Sequence, residues 1–398
     1  MRIILAILIL ASVRSIGATI VASSTSLVDV SNAVSLASNG DTVSIPSGSS
    51  FWGVKLSIDK AVSLIGDGSA NTKIGGTNDL VSYYVESSAS NVSFRVSGIG
   101  FTNITGYHSV LISGLNGIEA ARVDHCTFDG GTRAIHSWKK VWAVIDHCSF
   151  TNCNVSCGQT GEGNAAWLRS DAPGSTNCVV VEDCTFGLPP NVNLAHQIYN
   201  QTGARVAVRN CQFIATTGDP YFIEAHGNQN YYTGTGSDFR GTVFVEAYRN
   251  SLQMDINNNR WTYFRGGQIL LYSNVFSDLS GSTPLMQLTE EEGWQTNFFN
   301  PLRTNWPAQD QITNSFFWGN TRGGSNLTSY LIETNTTTFI HENRDFWMQP
   351  PNETNGSPAG VMASYQPLVY PHPRVTADDG VARKFRAITA RVGTVSSP

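Results

Sequence analysis

The chain of 398 residues has a formal net charge of −5, and only 14% of its residues are charged. Ordinary globular domains carry about 25% charged residues. Here glycine, asparagine, serine and threonine take up the difference, which favours short strands and turns over helices. Because no basic cluster is present to neutralise phosphates, nucleic acid is excluded as the expected partner.

The first predicted element covers residues 1–18, MRIILAILILASVRSIGA. An apolar run from Ile3 to Val13 follows one arginine, and small residues end the segment. This pattern predicts a secretory signal peptide that is too short to span a membrane as a helix. No later segment is apolar enough to cross a membrane. We therefore expect a secreted, extracellular protein.

The next predicted element is a helix within SLVDVSNAVSLAS, residues 26–38. Its apolar residues stand at positions 27, 30, 34 and 37, the spacing of one helical face. The sequence NGDTVSIP then indicates a turn and a strand. Such a helix would cover the open end of a stack of strands, which otherwise presents an unpaired edge.

A hexapeptide recurs through the middle of the chain. VDHCTF (123–128) returns as IDHCSF (145–150), VEDCTF (181–186) and VRNCQF (208–213), with looser copies at 96–101, 271–276 and 312–317. The gaps between its cysteine-equivalent positions vary from 22 to 63 residues. Repeats of short strands and turns with variable spacing predict a stacked solenoid, a parallel β-helix whose insertions enlarge loops.

Each position of the hexapeptide has a predicted direction. Val123 and Phe128 are apolar in nearly every copy and are expected to face the core. Asp124 is expected to face solvent, His125 to lie at a corner between two strands, and Cys126 to point inward. Later copies replace the Asp-His pair by Glu-Asp and Arg-Asn. The pair is therefore interpreted as part of the coil and not as a catalytic dyad.

The seven cysteines fall into two groups. Four occupy the repeat and predict an internal column of small buried side chains: Cys126, Cys148, Cys184 and Cys211. Cys153, Cys157 and Cys178 lie in an insertion, where we expect one disulfide and one free thiol, with the pairing open. Zinc is not expected, since no set of four ligands is present.

The C-terminal region predicts a segment outside the coils. Residues 334–373 are rich in proline and asparagine and are expected to cross the outer surface. Residues 376–393 indicate a helix or a docking strand. The expected organisation is a signal peptide (1–18), a β-helix domain with its N-terminal cap (19–373) and a C-terminal tail or cap (374–398).

Several motifs resemble the pectin-lyase-like superfamily of right-handed parallel β-helices. They are GDTVSIPSG with the following Trp52, VSLIGDGS, the V-x-x-C-x-F repeats and FRGGQILLYSNVF, and the resemblance covers roughly residues 39–373. It implies an all-β fold, a right-handed single-stranded parallel β-helix (solenoid) with an N-terminal capping helix. This architecture hosts many functions, so the motifs indicate the fold and not the activity.

One stretch is similar to a motif of pectate lyases within that superfamily. VWAVIDHCSF resembles their V-W-I-D-H motif, interrupted by Ala143 and Val144. Where those enzymes place acidic calcium ligands, this chain has GGTRAIHSW, and their R-x-P-x-x-R motif is absent. Calcium-dependent cleavage of pectate is therefore not expected, and no cofactor is predicted.

Enzymes of the superfamily usually bind a polysaccharide along one column of strands, and the strand that precedes each hexapeptide predicts that column here. If Ile135, Leu168, Ile198, Ile223, Phe264 and Met286 face inward, their neighbours face outward. The outward column then consists of His136, Arg169, Tyr199, Glu224, Arg265 and Gln287, with Asp171, His226 and Glu290 beside it.

This column supplies the candidate catalytic residues, which are Glu224, His226, Arg169, Arg265 and Tyr199. In a glycoside hydrolase, Glu224 would be the acid, with Asp171 or Glu290 as its partner. In a lyase, Arg169 or Arg265 would neutralise a uronate carboxylate, with His226, Tyr199 or Glu224 as base. Candidate substrate-binding residues are His136, Asp171, Gln287, Trp138 and Trp167. The acidic triplet 290–292 is interpreted as a solvated loop.

Two classes of function remain open. The first is a secreted protein that binds, and in its enzymatic form cleaves, an extracellular polysaccharide. The second is a structural or adhesive fibre, coat or tail component without catalytic activity, for which self-association is expected. The sugar, and the choice between lyase and hydrolase, stay open at this stage.

Overall fold

The computed structural model describes residues 17–85, 92–158, 172–188, 196–216, 221–227, 241–254, 261–278, 286–291 and 310–376. One helix precedes the coils, α1 (Leu27–Leu36). The strands are β1 (Thr19–Val21), β2 (Thr42–Ile45), β3 (Gly48–Trp52), β4 (Leu56–Ile58), β5 (Ser63–Gly66), β6 (Thr72–Gly76), β7 (Val81–Val85), β8 (Phe94–Ser97), β9 (Gly100–Ile104), β10 (His108–Asp124), β11 (Thr127–Gly130), β12 (Arg133–Asp146), β13 (Ser149–Thr151), β14 (Asn154–Gly158), β15 (Val179–Glu182), β16 (Thr185–Leu188), β17 (His196–Gln201), β18 (Arg205–Arg209), β19 (Gln212–Ala215), β20 (Tyr221–Ala225), β21 (Phe244–Tyr248), β22 (Ser251–Met254), β23 (Thr262–Phe264), β24 (Gln268–Tyr272), β25 (Val275–Asp278), β26 (Met286–Leu288), β27 (Ser315–Trp318), β28 (Thr321–Arg322), β29 (Ser325–Asn326), β30 (Tyr330–Ile332) and β31 (Phe346–Trp347).

Except for β29, which pairs antiparallel with β28, these strands stack in parallel on three faces of a β-helix, which confirms the predicted fold class. Face A contains β4, β7, β14, β17, β20, β23, β26 and β30, and face B contains β1, β2, β5, β8, β15, β18, β21, β24, β27 and β31. The long strands β10 and β12 run through both faces and join them into one 20-stranded sheet. Face C is the 11-stranded sheet of β3, β6, β9, β11, β13, β16, β19, β22, β25, β28 and β29.

The helix α1 covers the first coil, as predicted. Ser26 caps its N-terminus by accepting a hydrogen bond from the Asp29 amide at 3.2 Å. Val30, Ala33 and Val34 are its buried residues. Lys60 donates hydrogen bonds to carbonyls in its last turn, which satisfies groups that a helix end leaves unpaired.

The hexapeptide forms the corner between faces B and C, as the repeat pattern predicts. The third residue of each copy adopts a positive φ, for example 52° at His125 and 51° at His147. The phenylalanines stack in the core with ring centroids 4.6 to 5.0 Å apart, from Phe101 to Phe213. Each of these copies therefore sets a corner and adds a ring to the core.

The cysteine column continues as a column of asparagines. Cys211 is followed by Asn250, Asn274 and Asn320, whose amides donate hydrogen bonds from one coil to the next at 2.9 to 3.0 Å. Gly319 supplies the positive φ of the last corner, at 61°. The predicted copy at 312–317 is therefore out of register, because Phe317 pairs with Leu271, the first residue of its copy.

Asp124 is fully buried, so its predicted solvent exposure is wrong. It points outward from face B, where it aligns with Asp146, Glu182, Arg209 and Tyr248 on successive coils. Residues 362–376, here named the C-terminal strap, lie across this row. Within the segment 334–373 that was expected to cross the outside of the coils, the strap does so, whereas Phe346–Trp347 form β31 on face B.

Hydrogen bonds attach the strap to the buried row. Arg209 donates to the carbonyls of Leu368 and Val369 at 2.6 and 2.8 Å. The Tyr365 hydroxyl donates to Glu246 at 2.6 Å, and the His372 amide donates to Glu182 at 3.0 Å. The outward charges of face B are therefore paired and covered by the strap.

All seven cysteines are free and buried, so the predicted disulfide in the insertion is wrong. Cys153 and Cys157 lie within the main core, where the Cys153 thiol donates to the Phe128 carbonyl. Cys178 belongs to a separate small apolar cluster with Val180, beside which Leu368 of the strap packs. The thiols therefore have different surroundings.

We expect the thiols to be unreactive in the folded protein. Burial raises the pKa of Cys157 to about 12 and the pKa values of Cys126 and Cys178 well above the usual range, so little thiolate forms near neutral pH. Titration with an aromatic disulfide reagent should detect no fast-reacting thiol before denaturant is added and seven afterwards. Detection of five thiols after denaturation, and of two more after reduction, would show that the predicted disulfide is present.

Within the described residues, no helix combines the length and apolar character that a membrane crossing requires.

Candidate functional site

The predicted outward column lies on face A, with two corrections. His136, Tyr199, Glu224 and Gln287 share one row of the parallel ladder. Tyr263 occupies the place assigned to Arg265, and Ser156 occupies the place assigned to Arg169. Ile135, Ile198, Ile223, Phe264 and Met286 are buried in the core, as predicted. Trp167, Leu168, Arg169 and Asp171 lie outside the described residues.

Four charged side chains meet where β20, β23 and β26 end. Glu224 lies on β20, while His226, Arg265 and Glu291 follow the ends of the three strands. Arg265 donates to Glu291 Oε1 at 2.8 Å through Nη1 and to Glu224 Oε1 through Nη2. His226 Nδ1 lies 2.9 Å from Glu291 Oε2. We name this group the Glu224 cluster.

The cluster is closed and electrostatically balanced. All four side chains are buried, with Glu291 fully inaccessible. Burial alone raises the pKa of Glu224, but the positive charges of His226 and Arg265 outweigh it and hold that pKa well below its usual range. The pKa of Glu291 is lowered in the same way. Both carboxylates are therefore ionised at neutral pH.

Glu291 was missed as a partner, because the triplet 290–292 was interpreted as a solvated loop. That interpretation is wrong for Glu290 and Glu291, both of which are fully buried. Glu291 accepts from the Gly227 amide at 2.9 Å and from Arg265, so it belongs to the coil. One feature of the sequence indicates burial of the triplet, which begins shortly after the apolar strand β26.

His196 and Tyr199 form the accessible edge of the cluster. Their rings stack with centroids 4.6 Å apart, and Tyr199 meets His226 edge to face at 4.9 Å. The His196 side chain is 23% exposed, and its Nδ1 lies within ion-pair distance of Glu224 Oε2, although the approach is not that of an aligned hydrogen bond. His196 was also missed, because it begins β17 and does not fit the alternation.

Tyr199 is protonated over the whole physiological range. Burial, reinforced by the negative charge of Glu224, raises its pKa to about 12. Its hydroxyl donates to Gln201 at 2.7 Å. The phenol is therefore a proton donor at neutral pH and not a base.

The earlier coils of face A carry a second polar group around His136. His136 Nδ1 lies 2.9 Å from His108 Nε2, and His108 Nδ1 lies 3.1 Å from Asp79. Burial lowers the pKa of both histidines, with Arg133 lowering them further. Trp138 packs edge to face on His136 at 4.9 Å and is half-buried. His136 is thus a buried neutral group.

The later coils carry a third group around Glu333. Its carboxylate accepts hydrogen bonds from Gln287, from the Tyr263 hydroxyl at 2.9 Å and from Thr289 at 3.1 Å. Gln287 is buried. Gln287 therefore holds the Glu333 carboxylate from beneath the surface.

The Asp-His pairs at the corner bring three metal-ligating groups together. Ligand atoms of Asp124, His125 and Asp146 lie within 4.8 Å of one another. However, Arg95 and Arg122 already bind the two carboxylates, with Arg122 donating to Asp146 at 2.8 Å through two nitrogens. The corner pairs therefore act as structural ion pairs, as their replacement in later copies indicates.

No family model and no curated protein matches the chain. Among solved structures it is similar to Geobacillus virus E2 ORF18 (17% identity, TM-score 0.36), covering 65% of this chain and 56% of that one. It is also similar to an alginate lyase from Paenibacillus sp. str. FPU-7 (13%, TM-score 0.36), covering 80% and 98%. A third is the catalytic domain of a GH87 alpha-1,3-glucanase in complex with nigerose (11%, TM-score 0.31), covering 84% and 68%. At this level the likeness concerns the fold alone.

Proposed function

We propose that this protein is exported, binds an extracellular polysaccharide along face A and cleaves it beside the Glu224 cluster. The observation that carries the proposal is the convergence of Glu224, His226, Arg265 and Tyr199 on one spot of a solenoid face. Export rests on the sequence of residues 1–18. Buried charges at this density are costly unless they serve a site or are fully paired.

Aromatic side chains along face A support glycan binding. Tyr84 and Tyr107 are exposed, and Trp138 and Tyr221 are half-buried. Parallel strands bring such side chains onto successive coils about 4.8 Å apart. Aromatic rings offer an apolar face with a polar edge, which suits the faces of sugar rings. An extended polymer along the axis would meet several of them.

The electrostatics of the cluster support a positioning role for Glu224. A general acid at neutral pH needs a raised pKa, as in glycoside hydrolases. Glu224 and Glu291 both have lowered pKa values and are buried. Glu224 lies against Nδ1 of the partly exposed His196, so it suits the task of holding that ring with Nε2 directed away from the carboxylate.

A digestion panel tests the proposal. Acidic and neutral polysaccharides are incubated with the wild-type protein, His196→Ala and Lys73→Ala, an exposed residue on face C, and new reducing ends are counted. We expect one polymer to be cleaved by wild type and Lys73→Ala, and about 100-fold more slowly by His196→Ala. Equal cleavage rates for all three proteins would show that the catalytic site does not lie beside His196 on face A.

The structural function has one observation in its favour. Val21, Val28 and Leu36 at the N-terminal end are exposed apolar side chains, at 68%, 68% and 76%. Such a patch suits end-to-end association of a rod. If every polymer stays unbound and intact at high protein concentration, while sedimentation shows association, this function replaces the enzymatic one.

A further inference from the structure

The corner histidines His125 and His147 lie on the surface where faces B and C meet. They hold the same corner position on adjacent coils, because Asp124 and Asp146 before them pair in the ladder. Their side chains are 51% and 44% exposed. The two rings are parallel within 2°, with centroids 5.1 Å apart. Two imidazoles therefore stand side by side on an open surface, away from face A and its proposed site.

The buried carboxylates determine which nitrogen of each ring carries the proton. His125 Nδ1 lies 2.6 Å from Asp124 Oδ2, and His147 Nδ1 lies 2.8 Å from Asp146 Oδ2. Burial raises the pKa of Asp124, but hydrogen bonds from Arg95 and His125 outweigh it and lower that pKa to about 2. An ionised carboxylate accepts the Nδ1 proton, so the lone pair of the neutral ring is on Nε2.

Metal-binding histidines have this arrangement. They almost always donate their other ring N–H to a carboxylate, which orients the ring and makes the coordinating nitrogen more basic. Asp124 and Asp146 are placed for that supporting role, and their arginine partners hold them there. Among the described residues, no group forms a hydrogen bond with Nε2 of either ring. The ion pairs therefore occupy the carboxylates and leave the two Nε2 atoms open to a ligand.

The next corner adds a further metal-binding residue type. The corner after β15 holds Asp183, whose φ is 54°. Its carboxylate accepts a hydrogen bond from the Tyr370 hydroxyl at 2.9 Å. A negative charge on the coil next to His147 favours a cation at this edge. The two coils that follow have Asn210 and Arg249 at the corner, so the metal-binding residue types are grouped on three successive coils.

We propose that His125 and His147 bind a divalent transition-metal ion through their Nε2 atoms, with water completing its coordination. Imidazole nitrogen suits Zn²⁺, Cu²⁺ and Ni²⁺, whereas Ca²⁺ and Mg²⁺ take oxygen ligands. Bonds of about 2.0 to 2.1 Å to one ion require the two Nε2 atoms to approach each other. Both side chains are about half exposed, which leaves the rings room to tilt toward the ion. The ion would link two adjacent coils at their corner.

Calorimetry with Zn²⁺ alone, on the tag-free protein, tests the proposal. Loss of a supporting carboxylate typically weakens metal binding about 10- to 100-fold, and loss of a ligand should weaken it at least as much. We expect wild type to bind one ion, and His125→Asn and His147→Asn each to bind it at least about 10-fold more weakly. Asparagine suits this backbone, since Asn210 has a φ of 53° at the same corner. His341→Asn, a change at an exposed histidine elsewhere, should leave binding unchanged.

Electron paramagnetic resonance with one equivalent of Cu²⁺ identifies the ligands. The wild-type spectrum should show coupling to two imidazole nitrogens, and that of His147→Asn should show coupling to one. Zinc affinity that is equal in wild type and in both corner variants, or no zinc binding by wild type, would overturn the proposal. The buried thiols do not compete while the protein is folded, and circular dichroism of each variant checks that it is. The proposed function does not depend on either result.

Discussion

Replacing Arg209 with alanine should lower the free energy of unfolding by about 3 to 5 kcal/mol, the usual effect of removing one partner from a buried ion pair. Arg209 and Glu182 are both fully buried, with Arg209 Nη2 2.7 Å from Glu182 Oε2. The guanidinium also donates to the strap carbonyls of Leu368 and Val369. Alanine would leave a buried carboxylate without its charge partner and strap carbonyls without their donor.

Urea unfolding followed by tryptophan fluorescence and circular dichroism measures this effect. Because a solenoid unfolds through neighbouring units, limited proteolysis should accompany it, with faster cutting expected in the strap around Leu368. The double variant Glu182→Leu with Arg209→Met should recover part of the loss, since it removes the uncompensated carboxylate. An unchanged unfolding curve together with an uncut strap would show that the pair contributes nothing.

The strap explains why Asp124 was assigned wrongly to solvent. Alternation along a strand predicts the direction of a side chain, and Asp124 does point away from the coil. What covers it is chain about 250 residues later, where Arg122 contacts the Val375 carbonyl. This contact uses a backbone carbonyl of the strap, which any sequence would supply. A local pattern therefore predicts direction but not what packs from outside.

The repeat itself could be predicted because its physics is local. In the coils that carry the hexapeptide, each corner has one residue at positive φ, one small inward residue and one ring for the core. Glu224 and Tyr199 were placed correctly because they lie in regular strands. The errors fell at strand ends, where Arg265 follows β23 and His196 begins β17.

Insertions also limited what the sequence alone could predict. The prediction placed the next strand of the column within the insertion. In the structure the column continues after β12 with β14, which comes directly after the corner. Ser156 therefore stands where Arg169 was expected.

Replacing Glu224 with glutamine should lower kcat by about 10²- to 10⁴-fold with little change in KM. The amide keeps the size of the side chain but loses the charge that lies against His196 Nδ1 and balances Arg265. Since Glu224 is buried and does not touch the substrate in this proposal, binding should persist while proton transfer fails. Initial rates on the polymer identified by the panel, measured over a range of concentrations, give both constants.

Glu246→Gln is the matched control for this prediction. Glu246 is also a buried glutamate on a strand, but it lies on face B under the strap, where it accepts hydrogen bonds from Tyr365 and from the Gly174 amide. Its substitution removes a buried carboxylate without touching face A, so kcat should stay within about twofold while stability changes. If both variants lose activity equally, the loss reflects the fold and the Glu224 cluster has no separate role. If Glu224→Gln alone loses activity but also loses binding, Glu224 contacts the polymer, and the cluster opens to substrate instead of supporting His196 from behind.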